Sequence, residues 1–364
     1  MFRKPWQELA ENKNFREGNH FEDASIKVEE SKRAEVERQM EIPSFLLNLE
    51  KRDLPTEISI EVQVVDANRE DKDGVVETFV VIGGMGEDVA VMKPFIKALA
   101  MEGKQVVAIS MPGYGNSGDP DKSWRYHMEE DGKKSAVKKT YEDYANVIKD
   151  VLEKLQIDSE SLGIRKPSEK TTLVGHSLGG LMVSEYAKRN PASVEKMFLV
   201  SPGGIDKESL FVDGNIVPPR LTADFIFRHF QERLPTIFKL FSDMPPVIKN
   251  MWLTNFANRN TSTDPKNPFF ERRLFQRFWE GSVSTHQGLE ANIAEALQLG
   301  IPVEIFAGEK DGFFKVEKYR KLVDRLQEVS GEKNGKLDLL EIPKAGHYGI
   351  LDKADVFASL VVEK

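Results

Sequence analysis

The chemistry of this chain is concentrated in a few short segments. "LVGHSLGG", from Leu173 to Gly180, passes from an apolar run into a serine flanked two residues away on each side by glycine. If the backbone turns sharply from strand to helix at Ser177, the residues two before and two after approach closely, so Gly175 and Gly179 have to lack side chains. The turn lifts the Ser177 hydroxyl off the end of the strand. The helix that follows offers free N–H groups and a partial positive charge, placing the Leu178 N–H where a developing oxyanion would sit. The plainer reading is that Ser177 only caps that helix.

A serine hydroxyl is a poor nucleophile unless a base takes its proton and a third group orients the base. Of the six histidines, His20 lies in a charged N-terminal stretch and His127 in a charged loop. His229 and His286 fall in a long insertion, and His176, beside the serine, is expected to point elsewhere. His347, in "IPKAGHYGILDKADV", follows the last expected strand in a glycine-flanked loop, which makes it the candidate base. "VEIFAGEKDGFF" supplies the acid: Asp311 is favoured, with Glu309 and Asp206 as rivals. "VVIGGMGED" offers a second oxyanion donor, the Met85 N–H, in a loop shaped by Gly84. It lacks the Gly-x-Gly-x-x-Gly spacing of a dinucleotide loop.

These segments need a scaffold that brings them to one edge. From Ile58 onward, short apolar runs alternate with helical patterns of three- and four-residue spacing. "ISIEVQVVD" alternates like a half-buried strand, whereas "VVETFVVIGG", "QVVAISMPG", "TTLVG" and "VEKMFLVSPGG" read as buried strands. The helices between them are "VAVMKPFIKALAMEG", "TYEDYANVIKDVLEKLQ" and "GGLMVSEYAKRN". The alternation pauses after Gly204 and resumes at "IPVEIFAGEKDG". This is the signature of an α/β fold with a mostly parallel central sheet flanked by helices. The expected division is a charged extension over 1–51, a core over 52–204 and 296–364, and an insertion over 205–295. Ten of the 22 phenylalanines lie between Leu221 and Glu280, so the insertion is no solvated linker. Phe227, Phe230, Leu234, Phe238 and Phe241 share one helical face that must be buried, the top of the sheet being the obvious partner.

Composition narrows the classes further. The chain has 364 residues, 30% charged and 40% hydrophobic, with a net charge of −8. An acidic balance argues against nucleic acid or an anionic membrane surface as partner. There is no cysteine, so disulfides, thiolate metal sites and cysteine nucleophiles are out. No apolar run is long enough to span a bilayer, and the basic start is not followed by a signal-peptide core, so a cytoplasmic setting is expected. No cofactor is called for, and no two histidines stand at metal-ligand spacing. The oligomeric state is left open.

At this point the residues resemble the α/β-hydrolase superfamily. "GHSLGG" is similar to its nucleophile elbow, "VVIGGMG" to its oxyanion loop, and "GEKDGFF" and "AGHYGILDKAD" to its acid and histidine loops. The order Ser177, Asp311, His347 is the superfamily's order. Two positions depart from the pattern: Gly83 stands where the oxyanion loop usually begins with histidine. In "SMPGYGNSGDP", Ser110 stands where the superfamily has aspartate. The resemblance implies that 205–295 is a helical cap inserted after the sixth strand. It implies a serine hydrolase acting on a small-molecule acyl substrate of small or medium size, first of all a carboxylic ester. Amide (aminopeptidase-like), thioester or carbon–carbon bonds are alternatives for the same triad. Members with a nucleophilic aspartate are disfavoured by Ser177, and a ligand-binding protein without turnover is the contrasting class.

Overall fold

The computed structural model describes residues 30–41, 44–50, 54, 56–68, 76–84, 87–118, 133–205, 288–312, 314–329 and 335–363. Eight strands form one sheet: β1 Phe45–Leu49, β2 Ile58–Asp66, β3 Thr78–Ile82, β4 Gln105–Ile109, β5 Thr171–His176, β6 Val194–Val200, β7 Val303–Gly308 and β8 Leu337–Ile342. Their spatial order is β1-β2-β4-β3-β5-β6-β7-β8. β1 and β2 run antiparallel to their neighbours, and β4, β3, β5, β6, β7 and β8 pair in parallel. The parallel strands therefore all end at one edge. The loops carrying Gly83–Gly84, Ser177, Asp311 and His347 follow β3, β5, β7 and β8 at that edge, where open α/β sheets build their sites.

Helices cover both faces, as the unbroken burial of β3, β4, β5 and β7 requires. One face carries α3 (Lys133–Asp158), α4 (Leu178–Arg189), α5 (Gly288–Gln298) and α6 (Val316–Val329). These pack on Val80, Ile82, Leu173, Leu199 and Ile305. The other face carries α1 (Glu30–Glu41), α2 (Val89–Met101), α7 (Gly349–Asp352) and α8 (Ala354–Glu363). There the strands turn Phe79, Val81, Val174, Phe198 and Phe306 outward to meet them. The period-two swap between Val80 and Val81 is the pleat expressing itself. Among the described residues no helix is long and apolar enough to cross a membrane.

Three sequence expectations shift. Residues 30–49, assigned to the extension, carry α1 and β1. Val36 and Met40 are buried, and the Gln39 amide bonds both the N–H and the carbonyl of Asp66. β1 escapes notice because it is a short edge strand in which only Leu47 and Leu49 are buried. Second, β2 is not half-buried. It lies between β1 and β4, and its polar Glu61 and Gln63 are buried too. Third, α5 straddles the expected boundary at 295–296, with Leu289 and Ile293 in the core and Asn292 bonded to Ser184 of α4. The rest of the expected cap, 206–287, lies outside the described residues.

Glu61 accepts hydrogen bonds from the hydroxyls of Ser44 and Ser110 and from the backbone and side-chain nitrogens of Asn116. Burial alone would raise its carboxyl, but these donors outweigh it and hold the group below the ordinary carboxylate range. Ser110 in turn accepts from the Val89 N–H at the start of α2. The loop after β4 and the helix after the candidate oxyanion loop are thus fastened to one buried carboxylate.

The elbow depends on absent side chains. A Cβ on Gly179 would press on the carbonyl oxygens of Ile82 and Gly83, 2.5 Å from the latter. One on Gly175 would lie 2.6 Å from the Gly179 carbonyl oxygen. Backbone carbonyls of a central strand cannot yield as a side chain would. Gly179→Ala is expected to cost about 1–3 kcal/mol, the usual toll of overpacking. Urea denaturation followed by tryptophan fluorescence measures it.

Candidate active site

Ser177 joins β5 to α4 at φ 51° and ψ −117°, a left-handed conformation that L-residues rarely adopt. It is held from both sides. Its N–H donates to the Val200 carbonyl (2.9 Å), and its own carbonyl accepts from the N–H groups of Gly203 (2.8 Å) and Gly180 (3.1 Å). Its side chain makes no capping hydrogen bond to α4, which removes the plainer reading of Ser177 as a helix cap. Leu178 is the first residue of α4, so its N–H is one of the first-turn donors without a partner inside the helix.

The hydroxyl meets a histidine instead. His347 Nε2 lies 3.1 Å from Ser177 Oγ, and His347 Nδ1 lies 2.9 Å from Asp311 Oδ2. The other carboxylate oxygen of Asp311 accepts from the Phe314 N–H at 2.9 Å. Asp311 and His347 are each only 6% exposed, while Ser177 stands partly open. The rings of Phe314 and Tyr348 flank His347 at 5.5 and 5.3 Å between centroids, limiting its rotation. Of the rival acids, Glu309 is exposed and accepts from the Lys344 N–H, which supports the turn after β8. Asp206 lies outside the described residues.

Gly83 and Gly84 follow β3, and Gly84 comes closest to the serine: a Cβ there would be 2.9 Å from Ser177 Cβ. Its N–H is already committed to Glu87 Oε2 at 2.5 Å. Met85, the expected second oxyanion donor, lies outside the described residues.

His176 and Glu87 escaped the sequence reading. His176 does point away from the serine hydroxyl, but into the site's foundation. It is fully buried, with Nδ1 2.7 Å from Glu87 Oε2 and Nε2 2.9 Å from the His347 carbonyl oxygen. Burial would lower the imidazole's affinity for a proton, but the charge and hydrogen bond of Glu87 outweigh it and leave the group raised above its ordinary value. Burial would likewise raise Glu87, but the His176 charge and the bonds from His176 and Gly84 bring it below the ordinary range. The two form a buried ion pair. A local signal was available: a glutamate in an otherwise apolar glycine loop, next to Asp88, the residue that caps α2.

The arrangement can do acyl-transfer chemistry: a strained, accessible hydroxyl, an imidazole on it, a buried carboxylate behind the imidazole, and helix-end amides beside it. A family model described as "Serine aminopeptidase, S33" matches residues 74–336, well over half of the chain. The chain belongs to this family. Two curated relatives are similar to this S33 member. One is a yeast protein, Saccharomyces cerevisiae 1-acylglycerol-3-phosphate O-acyltransferase ICT1, 24% identical over 309 residues (71% of this chain, 74% of that one). The other is Caenorhabditis elegans abhydrolase domain-containing protein abhd-5.2, 22% identical over 313 residues (83% of this chain). The match spans 62% of the worm protein, less than two thirds of its length. Among solved structures, a probable hydrolytic enzyme of Pseudomonas aeruginosa PAO1 superposes with a TM-score of 0.58 at 17% identity, covering 89% of this chain and 94% of that one. The fold is that of the α/β-hydrolases, and hydrolases and acyltransferases share it.

The ion pair sets a pH dependence of stability in this S33 protein. The depressed Glu87 contributes stability above its ordinary value of 4.5, lost as pH falls through the lower folded value. The raised His176 contributes below its ordinary value of 6.5, lost as pH rises through the higher folded value. The stability gap between wild type and Glu87→Gln should therefore be widest between pH 4.5 and 6.5 and narrow on both sides. Breaking a buried pair typically costs about 3–5 kcal/mol. Urea titrations of both proteins across this range provide the check.

Proposed function

We propose that the protein is a serine hydrolase that cleaves a small or medium acyl substrate, first of all a carboxylic ester, through an acyl-enzyme on Ser177. The observation that carries this reading is the relay from Asp311 Oδ2 through His347 to Ser177 Oγ, at 2.9 and 3.1 Å.

In this reading Ser177 Oγ attacks the ester carbonyl carbon while His347 Nε2 takes its proton. Asp311 keeps Nδ1 protonated, so that Nε2 is the free base, and stabilises the imidazolium that forms. The carbonyl oxygen gathers negative charge and is met by the Leu178 and Met85 N–H groups. Losing one such donor typically costs on the order of 10²–10³ in rate. The tetrahedral intermediate collapses, the C–O bond to the leaving group breaks, and His347 hands its proton to the departing alkoxide. Water then attacks the acyl-enzyme, again losing a proton to His347, and returns the carboxylic acid and free Ser177. The phenylalanine-rich stretch of 205–295 favours an apolar acyl or aromatic group.

A second reading uses the same acyl-enzyme. If a hydroxyl acceptor replaces water in the last step, the product is a new ester rather than an acid. The similarity to the yeast O-acyltransferase favours keeping this path in view. The family's description, serine aminopeptidase, keeps amide cleavage in view as well.

A fluorophosphonate probe should label the wild-type protein and fail to label Ser177→Ala. An unlabelled wild type, or equal labelling of the variant, would sink the proposal. Ser177→Ala should lose activity by a factor on the order of 10⁶, and Asp311→Asn about 10⁴. p-Nitrophenyl esters of graded chain length beside aminoacyl anilides will rank ester against amide cleavage. Adding glycerol and analysing products by mass spectrometry separates transfer from hydrolysis.

A further inference from the structure

The Glu87–His176 pair is bonded to parts of three of the four loops that build the site. His176 Nε2 faces the His347 carbonyl oxygen, which can only accept, so Nε2 carries a hydrogen. Nδ1 faces Glu87 Oε2, the oxygen that also accepts the Gly84 N–H, and the attraction that raises His176 and lowers Glu87 keeps the shared proton on Nδ1. With both ring nitrogens donating, His176 is an imidazolium and Glu87 a carboxylate, both at most 3% exposed.

We propose that Glu87 and His176 are positioning residues for catalysis: a single buried ion pair that sets the distance between the oxyanion loop, the nucleophile and the base. Glu87 draws in the Gly84 N–H, and Gly84 lies so close to the nucleophile that a Cβ on it would be 2.9 Å from Ser177 Cβ. His176 is the residue before Ser177, so its anchored ring fixes the entry into the elbow. Its Nε2–H holds the backbone carbonyl of His347 itself, and thereby the root of the base. The acid loop joins indirectly, through the Lys310 N–H on the Ala345 carbonyl at 2.8 Å. The two charges of the pair also cancel. When His347 gains a proton, its ring lies 5.0 Å from that of His176, and Glu87 offsets the cation already there. Glu87 also bears on the glycine at position 83, where a Cβ would lie 2.7 Å from Glu87 Cβ.

The inference rests on the acyl-enzyme reading of Ser177, and its test separates the two. Glu87→Gln and Glu87→Asp are compared with wild type, each preparation being titrated first with fluorophosphonate to count competent sites. The acylation rate by a p-nitrophenyl ester, per titrated site, should fall about 10–100-fold in Glu87→Gln, the scale of a misplacement near 1 Å, with KM changed less than threefold. Glu87→Asp should recover part of the rate. His176→Gln should lose a similar factor, and the double variant no more than either alone, as expected of groups acting as a unit. Proton NMR of wild type should show two downfield N–H resonances from His176, lost in Glu87→Gln. A purely structural role predicts fewer titrated sites with an unchanged rate at each, and that result overturns the inference while leaving Ser177 in place. A wild type that the probe does not label overturns the underlying reading instead.

Discussion

Ser177 has to occupy a backbone conformation that costs an L-residue roughly 1–3 kcal/mol, and hydrogen bonds on both sides hold it there. The serine cannot relax toward a normal helix start, because its N–H is tied to β6 and its carbonyl to the segment after β6. The flanking glycines let β5, α4 and the end of β3 approach within distances that no side chain would permit. The segment after β6 shares the strain: Ser201 has φ 43°, and its N–H is bonded to the Phe306 carbonyl. Strain at the serine is thus shared with the segment after β6 and, through it, with β7.

Charge is handled in the same spirit. Glu61, Asp66, Glu87 and Asp311 are all buried, and each carboxylate meets at least two named hydrogen-bonding groups. Asp66 takes a two-pronged bond from Arg165, at 2.6 and 2.7 Å, where the segment before β5 passes the end of β2. Such groups would be costly if left unsatisfied. Satisfied, they act as rigid junctions between segments distant in sequence: 99 residues separate Asp66 from Arg165 and 89 separate Glu87 from His176.

Much of this was legible from local pattern. Ser177 announces itself because its steric demands fall on its immediate neighbours, and the alternation of apolar runs with helical spacings follows from covering both faces of a parallel sheet. His347 and Asp311 could be narrowed by their place after strands, and the fold brings their side chains into hydrogen-bonding reach of Ser177 in series. Glu87 left a local signal in its glycine loop, but its pairing with His176 was not legible, since nothing within ten residues of either names the other and their geometry exists only once β3 and β5 are side by side. β1 was missed because an edge strand needs only one apolar face. β2 was misread because alternation reports polarity, whereas Glu61 is polar and buried. Met85 and the span 206–287 lie outside the described residues, so the second oxyanion donor and the pocket stay at the level of sequence pattern.

The pairing of Glu61 with Ser110 has a consequence for how substitutions at these positions combine. Where superfamily members carry an aspartate in this segment, the chain has a serine, yet a carboxylate still occupies the region, supplied from the neighbouring strand: the Ser110 N–H donates to the Glu61 carbonyl and its hydroxyl to the Glu61 carboxylate. The acidic group of this region stands on β2, across the ladder from β4. Restoring aspartate at 110 alone would set two carboxylates against each other in a buried space, and neutralising Glu61 alone would leave the donors of Ser44, Ser110 and Asn116 facing no charge. Substitutions at the two positions are therefore expected to be non-additive. A lineage could exchange one arrangement for the other only by changing both, and a comparison that scores position 110 in isolation would record a loss where the chemistry has only changed address.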